Sequence, residues 1–406
     1  MNKVLGNFLN LTLLQFSTMV VQILIYPYLN NVLGGRVYGE IIFQQIIILH
    51  LQMIVFFGTD ISAVRLAAKY ISNKKKLIII VSKITLGRLY IALLIVFLYV
   101  VYIFISGIDP WFCIYALSIF EAAFTLRWFY HGVQQLNKFA FPYCIIRFIG
   151  TLFIFLFVTG AGDWYKVVVI TVGSSLLSVL VSWALYYRNF GFYYVKFKSV
   201  YLIFYDSFSL FITNLVSVVK DRSGGIFIGY FLGPSSLVYY DFCIKIVGVI
   251  SSVTSSISAA LFPSFSENYN SIYFKKYNKL IFIFSVLPFL ISLVASNYVI
   301  ITIYQLFKID LSPVRLLFPV FGIMIFVRSH GYFLGLCYLM ARNYKKRYAS
   351  SLIISGCFYM LYMGGASFLG FNSLISLGIG IASSLVIEYF HRIYLCLKTR
   401  TEICGN

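Results

Sequence analysis

Twelve apolar stretches, each about as long as a helix that crosses a lipid bilayer, follow one another along the chain. A transmembrane helix needs about 20 consecutive, mainly apolar residues, which is longer than most buried elements of soluble domains. The chain is therefore predicted to be an all-α polytopic membrane protein with twelve transmembrane helices. The predicted spans lie near residues 4–30, 38–58, 84–106, 111–131, 143–160, 165–187, 205–231, 239–262, 279–304, 314–341, 348–369 and 373–397.

The composition of the 406 residues agrees with a lipid environment. Hydrophobic residues make up 61% of the chain and charged residues only 11%. In a soluble domain, about 45–50% of the residues are apolar and about 25% are charged. So much apolar side chain would leave too little polar surface to cover a soluble core. A soluble protein is excluded, and the number of apolar stretches also excludes a protein with a single membrane anchor.

The distribution of basic residues between the loops predicts the orientation. Cytoplasmic loops of membrane proteins carry an excess of lysine and arginine. Alternate connections between the predicted spans hold most of the 32 basic residues, and both termini are on that side, which we predict to be cytoplasmic. This assignment explains the formal net charge of +20 without a nucleic-acid partner. The basic side includes Lys74, Lys75, Lys76, Arg88, Arg147 and Arg392, whereas the opposite side holds only Arg36, Lys166, Lys308 and Arg315.

A short element shared by the two halves of the chain indicates an internal repeat. Residues 33–38 read Leu-Gly-Gly-Arg-Val-Tyr and follow the first predicted span, and residues 232–237 read Leu-Gly-Pro-Ser-Ser-Leu and follow the seventh. Six spans separate the copies, so both copies have the same orientation in the membrane, as in a parallel repeat. We predict two six-helix lobes, residues 1–190 and 201–406, joined by a cytoplasmic linker at 191–200.

Basic residues inside the predicted spans are candidates for function, because a charge in hydrocarbon is costly. Lys220 lies in a polar stripe on the seventh span, Lys245 lies one turn from Asp241 on the eighth, and Arg328 lies at the middle of the tenth. Three cations on three helices of one lobe favour a water-filled, positively charged cavity that binds a substrate. The alternative is ion pairs that only fix helix packing, and Asp221 and Asp241 could neutralise part of the charge.

Acidic residues in the spans are candidates for coupling transport to an ion gradient. Glu121 lies near the middle of the fourth predicted span, and Glu40 lies on the second. A carboxyl group in a low dielectric can change its protonation when its access to water changes. Glu121 is the first candidate for coupling to H⁺ or Na⁺, followed by Glu40, Asp221 and Asp241. The alternative is that Glu121 pairs permanently with Arg127 or with a neighbouring helix.

Motifs for catalysis, nucleotides or metals are not recognisable in the sequence. A GxxxxGK[ST] element for ATP is absent, and so are a Ser/His/Asp set and cysteine spacings typical of metal sites. The predicted loops are too short to fold as a domain outside the membrane. We therefore expect a transporter without a cofactor, driven by an ion gradient or by the chemical potential of its substrate, and not an enzyme.

Two stretches of the sequence carry a family resemblance. The first contains Tyr-Pro-Tyr-Leu at 26–29, Val-Leu-Gly at 32–34 and Phe-Gly-Thr-Asp-Ile-Ser-Ala-Val-Arg at 57–65. The second is Gly-Tyr-Phe-Leu-Gly-Pro at 229–234. Together they resemble the O-antigen flippase family, the polysaccharide (Wzx-type) branch of the MOP exporter superfamily. Members of that family often carry an aspartate shortly before the second element, where this chain has Gly224 and Gly225.

The resemblance implies a fold, a substrate and partners. It implies two six-helix lobes around a central cavity, alternating access, and transfer of an undecaprenyl-diphosphate-linked oligosaccharide from the cytoplasmic to the periplasmic leaflet of the bacterial inner membrane. Cations for the phosphates and polar groups for the glycan are what such a substrate needs. The implied partners are this lipid-linked glycan and membrane lipid, with a polysaccharide polymerase and a chain-length regulator left open.

Two other functions remain open at this point. A MATE-like drug or cation antiporter of the same fold would favour an acidic, aromatic cavity, and the three central cations argue against it. A membrane glycan polymerase is disfavoured by the short loops.

Overall fold

The computed structural model describes residues 23–193, 195–267, 269–307, 311–371 and 373–404. Within these ranges, eleven helical segments are long and apolar enough to cross a membrane. The predicted all-α, multi-pass architecture is therefore confirmed. The predicted first span, 4–30, lies largely outside the described residues, and its described end belongs to the helix Ile23–Leu33.

The helices are numbered here in chain order. They are α1 (Ile23–Leu33), α2 (Gly35–Phe56), α3 (Thr59–Lys69), α4 (Lys74–Ile105), α5 (Ala116–Phe124), α6 (Arg127–Gly132), α7 (Asn137–Phe157), α8 (Trp164–Tyr187), α9 (Phe197–Arg222), α10 (Gly224–Leu232), α11 (Pro234–Glu267), α12 (Ser271–Val294), α13 (Ser296–Phe307), α14 (Phe318–Phe333), α15 (Lys345–Phe368) and α16 (Leu374–Cys404). A π-helical turn, Leu334–Met340, continues α14.

Two of the helices begin earlier than the apolar pattern predicts, because an asparagine caps each of them. The side chain of Asn73 accepts a hydrogen bond of 3.0 Å from the backbone N–H of Lys76, so α4 begins ten residues before the predicted span. Asn270 accepts hydrogen bonds from the first turn of α12 in the same way. Such caps satisfy N–H groups that lack a partner within the helix. Each helix therefore includes lysines that precede the apolar stretch, Lys74–Lys76 in α4 and Lys275 and Lys276 in α12.

Three predicted spans are each divided into two helices. The fourth is interrupted at Thr125, the seventh at Ser223 and the ninth at Ala295. Hydropathy averages over a window, so a local interruption of one or two residues does not change the pattern. The predictions of continuous helices over 111–131, 205–231 and 279–304 are wrong in this respect.

The first compact unit of the structure includes Val32–Val218. The helices in it pack closely where glycine removes a side chain. A Cβ atom on Gly132 of α6 would lie 2.5 Å from the Cβ atom of Ala67 on α3. A Cβ atom on Gly58, whose φ is 70°, would lie 2.6 Å from the backbone nitrogen of Phe211 on α9. The first unit thus extends through much of α9, beyond the linker predicted at 191–200.

The second compact unit comprises Tyr26–Asn31 and Val219–Asn406. Its central element is the segment that contains α14, because two thirds of the most apolar window of Val314–Met340 is buried. A side chain at Gly322 of α14 would clash with Ser292 of α12, so glycine permits these two helices to approach closely. Polar side chains on α14 therefore lie inside the unit, where they need partners from neighbouring helices.

Candidate functional site

Lys220, at the end of α9, is enclosed within the second unit. Its side chain is 3% exposed, and its ammonium group pairs with the carboxylate of Glu388 on α16. It also lies 3.5 Å from the hydroxyl of Ser355 on α15 and 3.9 Å from the carboxylate of Asp221. A buried ammonium group needs such partners. The structure thus places the first predicted cation in a polar interior, surrounded by groups that compensate its charge.

Glu388 is the anion that two basic side chains share. One carboxylate oxygen pairs with Lys220 and accepts a hydrogen bond of 3.3 Å from Ser355. The other oxygen lies 2.5 Å from the guanidinium group of Arg392, one turn further along α16. All three charged side chains are less than 10% exposed. The carboxylate therefore holds two buried cations together.

Arg392 connects α16 to two neighbouring helices. It donates hydrogen bonds to the carbonyl oxygen of Gly331 on α14, at 2.9 Å, and to the hydroxyl of Ser351 on α15, at 3.2 Å. Its guanidinium group lies 4.9 Å from the ring centre of Tyr348. A Cβ atom on Gly335 would lie 3.1 Å from the guanidinium carbon, so glycine leaves the space that this side chain fills.

Arg328, on α14, forms the more accessible end of the same ion-pair network. Its guanidinium group lies 3.5 Å from the carboxylate of Asp221, and the two side chains are 35% and 25% exposed. Because Asp221 also lies near Lys220, it connects Arg328 to the buried part. Lys220, Arg328 and Arg392 contribute three positive charges, against two negative charges from Asp221 and Glu388. The network therefore carries a formal excess of one positive charge.

The third predicted cation, Lys245, belongs to a separate pair on α11. It pairs with the carboxylate of Asp241, one turn earlier on the same helix. Its ammonium group lies 4.9 Å from the ring centre of Tyr26 on α1, which is a favourable cation–π arrangement. The structure thus joins Lys220 and Arg328 through Asp221 and places Lys245 with Asp241. A role of all three in substrate binding stays a prediction.

The acidic candidates of the first unit have different surroundings. Glu121, on α5, lies 3.9 Å from the guanidinium group of Arg147 on α7, and the side chains are 19% and 28% exposed. The interaction is therefore with a neighbouring helix. Glu40 lies 3.6 Å from Arg36 on α2, with side chains 45% and 84% exposed. An exposed pair of this kind contributes little to stability. A coupling role for either residue stays a prediction.

Arg88, which the sequence pattern assigned to the cytoplasmic basic side, is a buried arginine of the first unit. It is 1% exposed, and its Nε atom donates a hydrogen bond of 2.8 Å to the hydroxyl of Thr59. It also donates to the carbonyl oxygen of Ala122 at 3.4 Å and lies 3.7 Å from Asp60. Thr59 and Asp60 of the Gly-Thr-Asp element at 58–60 therefore have a structural role, because they are partners of this buried arginine.

Three basic residues that were assigned to the cytoplasmic side form ion pairs within the helical units, and their side of the membrane stays a prediction. Arg88, Arg147 and Arg392 each have a carboxylate partner in the structure. Glu388 was not among the candidates predicted from the sequence. A signal for it was available, because Glu388 and Arg392 are four residues apart within the apolar stretch 373–397. Opposite charges at this spacing meet on one helix face.

Three solved structures of MOP superfamily transporters have a similar fold. An inward-facing conformation of a multidrug resistance MATE family transporter matches with a TM-score of 0.57 and 13% identity, over 98% of this chain and 94% of that one. An outward-facing conformation matches with a TM-score of 0.53 and 11% identity, over 98% and 96%. A MOP superfamily transporter from Pyrococcus furiosus matches with a TM-score of 0.50 and 13% identity, over 98% and 96%. The chain therefore shares the fold of these multi-pass membrane proteins.

The chain belongs to the polysaccharide biosynthesis protein family, whose sequence profile matches residues 4–269. It is also 22% identical over 374 residues to a protein of Escherichia coli (strain K12) named "Putative O-antigen transporter", covering 87% of this chain and 88% of the relative. The predicted family and the prediction of a transporter instead of an enzyme are confirmed.

Proposed function

We propose that this transporter moves an undecaprenyl-diphosphate-linked oligosaccharide from the cytoplasmic to the periplasmic leaflet of the bacterial inner membrane by alternating access. Both termini lie in the cytoplasm in this proposal. The polysaccharide biosynthesis family and the relative named as an O-antigen transporter support a glycan substrate. Interaction with a polysaccharide polymerase or a chain-length regulator stays a prediction.

The observation that carries the proposal is the partly exposed guanidinium group of Arg328, at the accessible end of a network that has a formal excess of one positive charge. A diphosphate that enters hydrocarbon must exchange water for charged hydrogen-bond donors. Arg328 provides a planar guanidinium group, which can bind two phosphate oxygens at once. Its distance of 3.5 Å from Asp221 leaves these donors available to a stronger anion. Lys220 then compensates the charge of Asp221, while Glu388 and Arg392 hold Lys220 in place.

A drug or cation antiporter is the second candidate, because two of the similar structures are multidrug resistance transporters. A site for a cationic drug needs a carboxylate whose charge is free. In the described part of the second unit, Asp221, Asp241 and Glu388 each lie against a cation. These pairs favour an anionic substrate over a cationic one.

The proposed function is tested with purified protein in liposomes. A lipid-linked oligosaccharide with a fluorescent sugar is added, and a membrane-impermeant quencher reports how much of it remains in the outer leaflet. We expect protein-dependent movement of this lipid and no movement of a phosphatidylcholine with the same fluorophore. Exchange of a cationic dye for protons without movement of the glycan lipid would contradict the proposal.

We further propose that Glu121 couples this movement to a cation gradient. A partly buried carboxylate with one arginine neighbour can alternate between an ion pair and a protonated form as its access to water changes. Glu121→Gln keeps the shape and removes the titration. We expect the variant to bind the glycan lipid but to lose the acceleration that an imposed gradient gives. Asp206→Asn, at an exposed position of α9 that is not a coupling candidate, is the control. Unchanged gradient-driven transport in Glu121→Gln would show that Glu121 is structural.

A further inference from the structure

An apolar groove runs between α4 and α9 in the first unit. Its volume is about 410 Å³, within the range of roughly 300–1,000 Å³ that is typical of ligand pockets. Aromatic rings form much of its wall, among them Phe57, Tyr90, Phe204 and Tyr205. The groove shares no lining residue with the ion-pair network described above. Its lining indicates a ligand without polar groups along its length.

The sequence builds this groove through one glycine and one unusual backbone conformation. A Cβ atom on Gly87 of α4 would clash with the ring of Phe204 on α9, so glycine lets this ring lie against the helix backbone. Phe57 has a φ of 46°, a conformation that is costly for a bulky residue. Its ring stacks on Phe211 with a centroid distance of 4.5 Å and an interplanar angle of 9°. The turn thus holds an aromatic ring at the groove in spite of the backbone cost.

A lysine of α4 and a lysine that immediately precedes α9 lie toward one end of the groove. Lys83 precedes Gly87 by four residues on α4, and this spacing places the two residues on the same helix face. Lys196 is exposed and precedes Val200, a lining residue of α9, by four residues. The run Lys74–Lys76 opens α4 on the same side. An apolar groove with lysines at one end is complementary to a lipid that has an anionic head and a long hydrocarbon chain.

We propose that this groove binds the polyprenyl chain of the carried lipid when the lipid first associates with the protein, with Lys83 and Lys196 near its phosphates before these reach Arg328. The proposal rests on the proposed function, because that function provides a polyprenyl diphosphate as substrate. The methyl branches of a polyprenyl chain fill irregular spaces between aromatic rings, which a straight acyl chain leaves partly empty. The groove would thus select the hydrocarbon part of the substrate independently of the sugar.

Photo-crosslinking tests the occupant. The reconstituted protein is irradiated with a polyprenyl diphosphate that carries a diazirine in its chain, or with a phosphatidylglycerol that carries a diazirine in one acyl chain. Mass spectrometry then locates the adducts. We expect polyprenyl adducts on Tyr90, Tyr201 and Tyr205 that unlabelled polyprenyl diphosphate removes by competition. Equal labelling by the acyl lipid, or labelling without competition, would overturn the proposal.

Two neighbouring leucines of α4 provide a matched pair of variants. Leu94 lines the groove, whereas Leu93 is exposed but does not line it. We expect Leu94→Trp to reduce the polyprenyl adducts at least about fivefold by filling the groove, and Leu93→Trp to leave them unchanged. Both changes are on a lipid-accessible helix surface, so both variants should fold. Equal effects of the two substitutions would contradict specific binding.

A third measurement examines the head group and separates this proposal from the proposed function. Lys83→Gln with Lys196→Gln should weaken labelling by the polyprenyl diphosphate and leave labelling by an uncharged polyprenol unchanged. If Leu94→Trp transports the glycan lipid normally and the adducts lie elsewhere, the proposal of a polyprenyl-binding groove is overturned and the proposed function is not. Absence of transport by the unmodified protein, with competed adducts in the groove, would overturn only the transport proposal.

Discussion

Replacing Arg328 with alanine is expected to reduce transport of the glycan lipid by about 10- to 100-fold. A hydrogen bond to a charged group contributes about 1.5–3 kcal/mol net, and each 1.4 kcal/mol is a factor of about ten. Arg328 is the most accessible cation of the network, with 35% of its side chain exposed, so it is the group that a diphosphate can reach first. The initial rate of transport in liposomes, at equal amounts of folded protein, measures the effect.

Variants near Arg328 distinguish its specific geometry from a general effect of charge. Arg328→Lys keeps the charge but loses the planar pair of donors, so we expect only partial transport. Arg222 is an exposed arginine of α9, next to Asp221 in the chain, and Arg222→Ala should transport at nearly the normal rate. Asp221→Asn removes the anion that competes with phosphate and should increase affinity for the glycan lipid. Full transport by a variant with alanine at Lys220, Lys245 and Arg328 would eliminate the proposed phosphate site.

The sequence was sufficient to predict the membrane fold but not the interruptions of its helices. The length and number of the apolar stretches determined the architecture, because the bilayer imposes both a length and a helical backbone on every span. The residue types at Thr125, Ser223 and Ala295 do not by themselves indicate that a helix is interrupted there. Their conformation depends on how neighbouring helices pack, and the sequence of one helix alone does not predict that packing.

Two cations of the candidate site were predicted from the sequence, but its central anion, Glu388, was not. Lys220 and Arg328 were found because each is a charge within an apolar stretch, and Asp221 was found as the neighbour of Lys220. Glu388 lies 168 residues from Lys220 in the chain, so the pair forms only when α9 and α16 pack together. Arg392 was counted only as a basic residue of the cytoplasmic side, so its pairing with Glu388 inside the unit was not predicted.

Glu388→Gln is expected to destabilise the second unit by roughly 3–5 kcal/mol, the cost of removing one partner from a buried ion pair. The substitution would leave Lys220 and Arg392 facing each other without their shared anion. The loss of stability is measured by thermal unfolding of the purified protein. The exposure of a buried thiol, such as that of Cys337, reports the unfolding. Glu40→Gln makes the same chemical change in an exposed pair, so we expect a change of about 0–1 kcal/mol there.

A double-mutant cycle examines the reason for this loss. Lys220→Gln leaves Glu388 paired with Arg392, so this variant should lose less stability than Glu388→Gln. The double variant, Lys220→Gln with Glu388→Gln, still leaves Arg392 without its carboxylate partner. It nevertheless removes the repulsion between two buried cations. It should therefore be more stable than Glu388→Gln alone, with a coupling energy of about 0.5–3 kcal/mol. If the two losses simply add, Glu388 does not hold the cations together, and the positive charge near Arg328 must be maintained by another group.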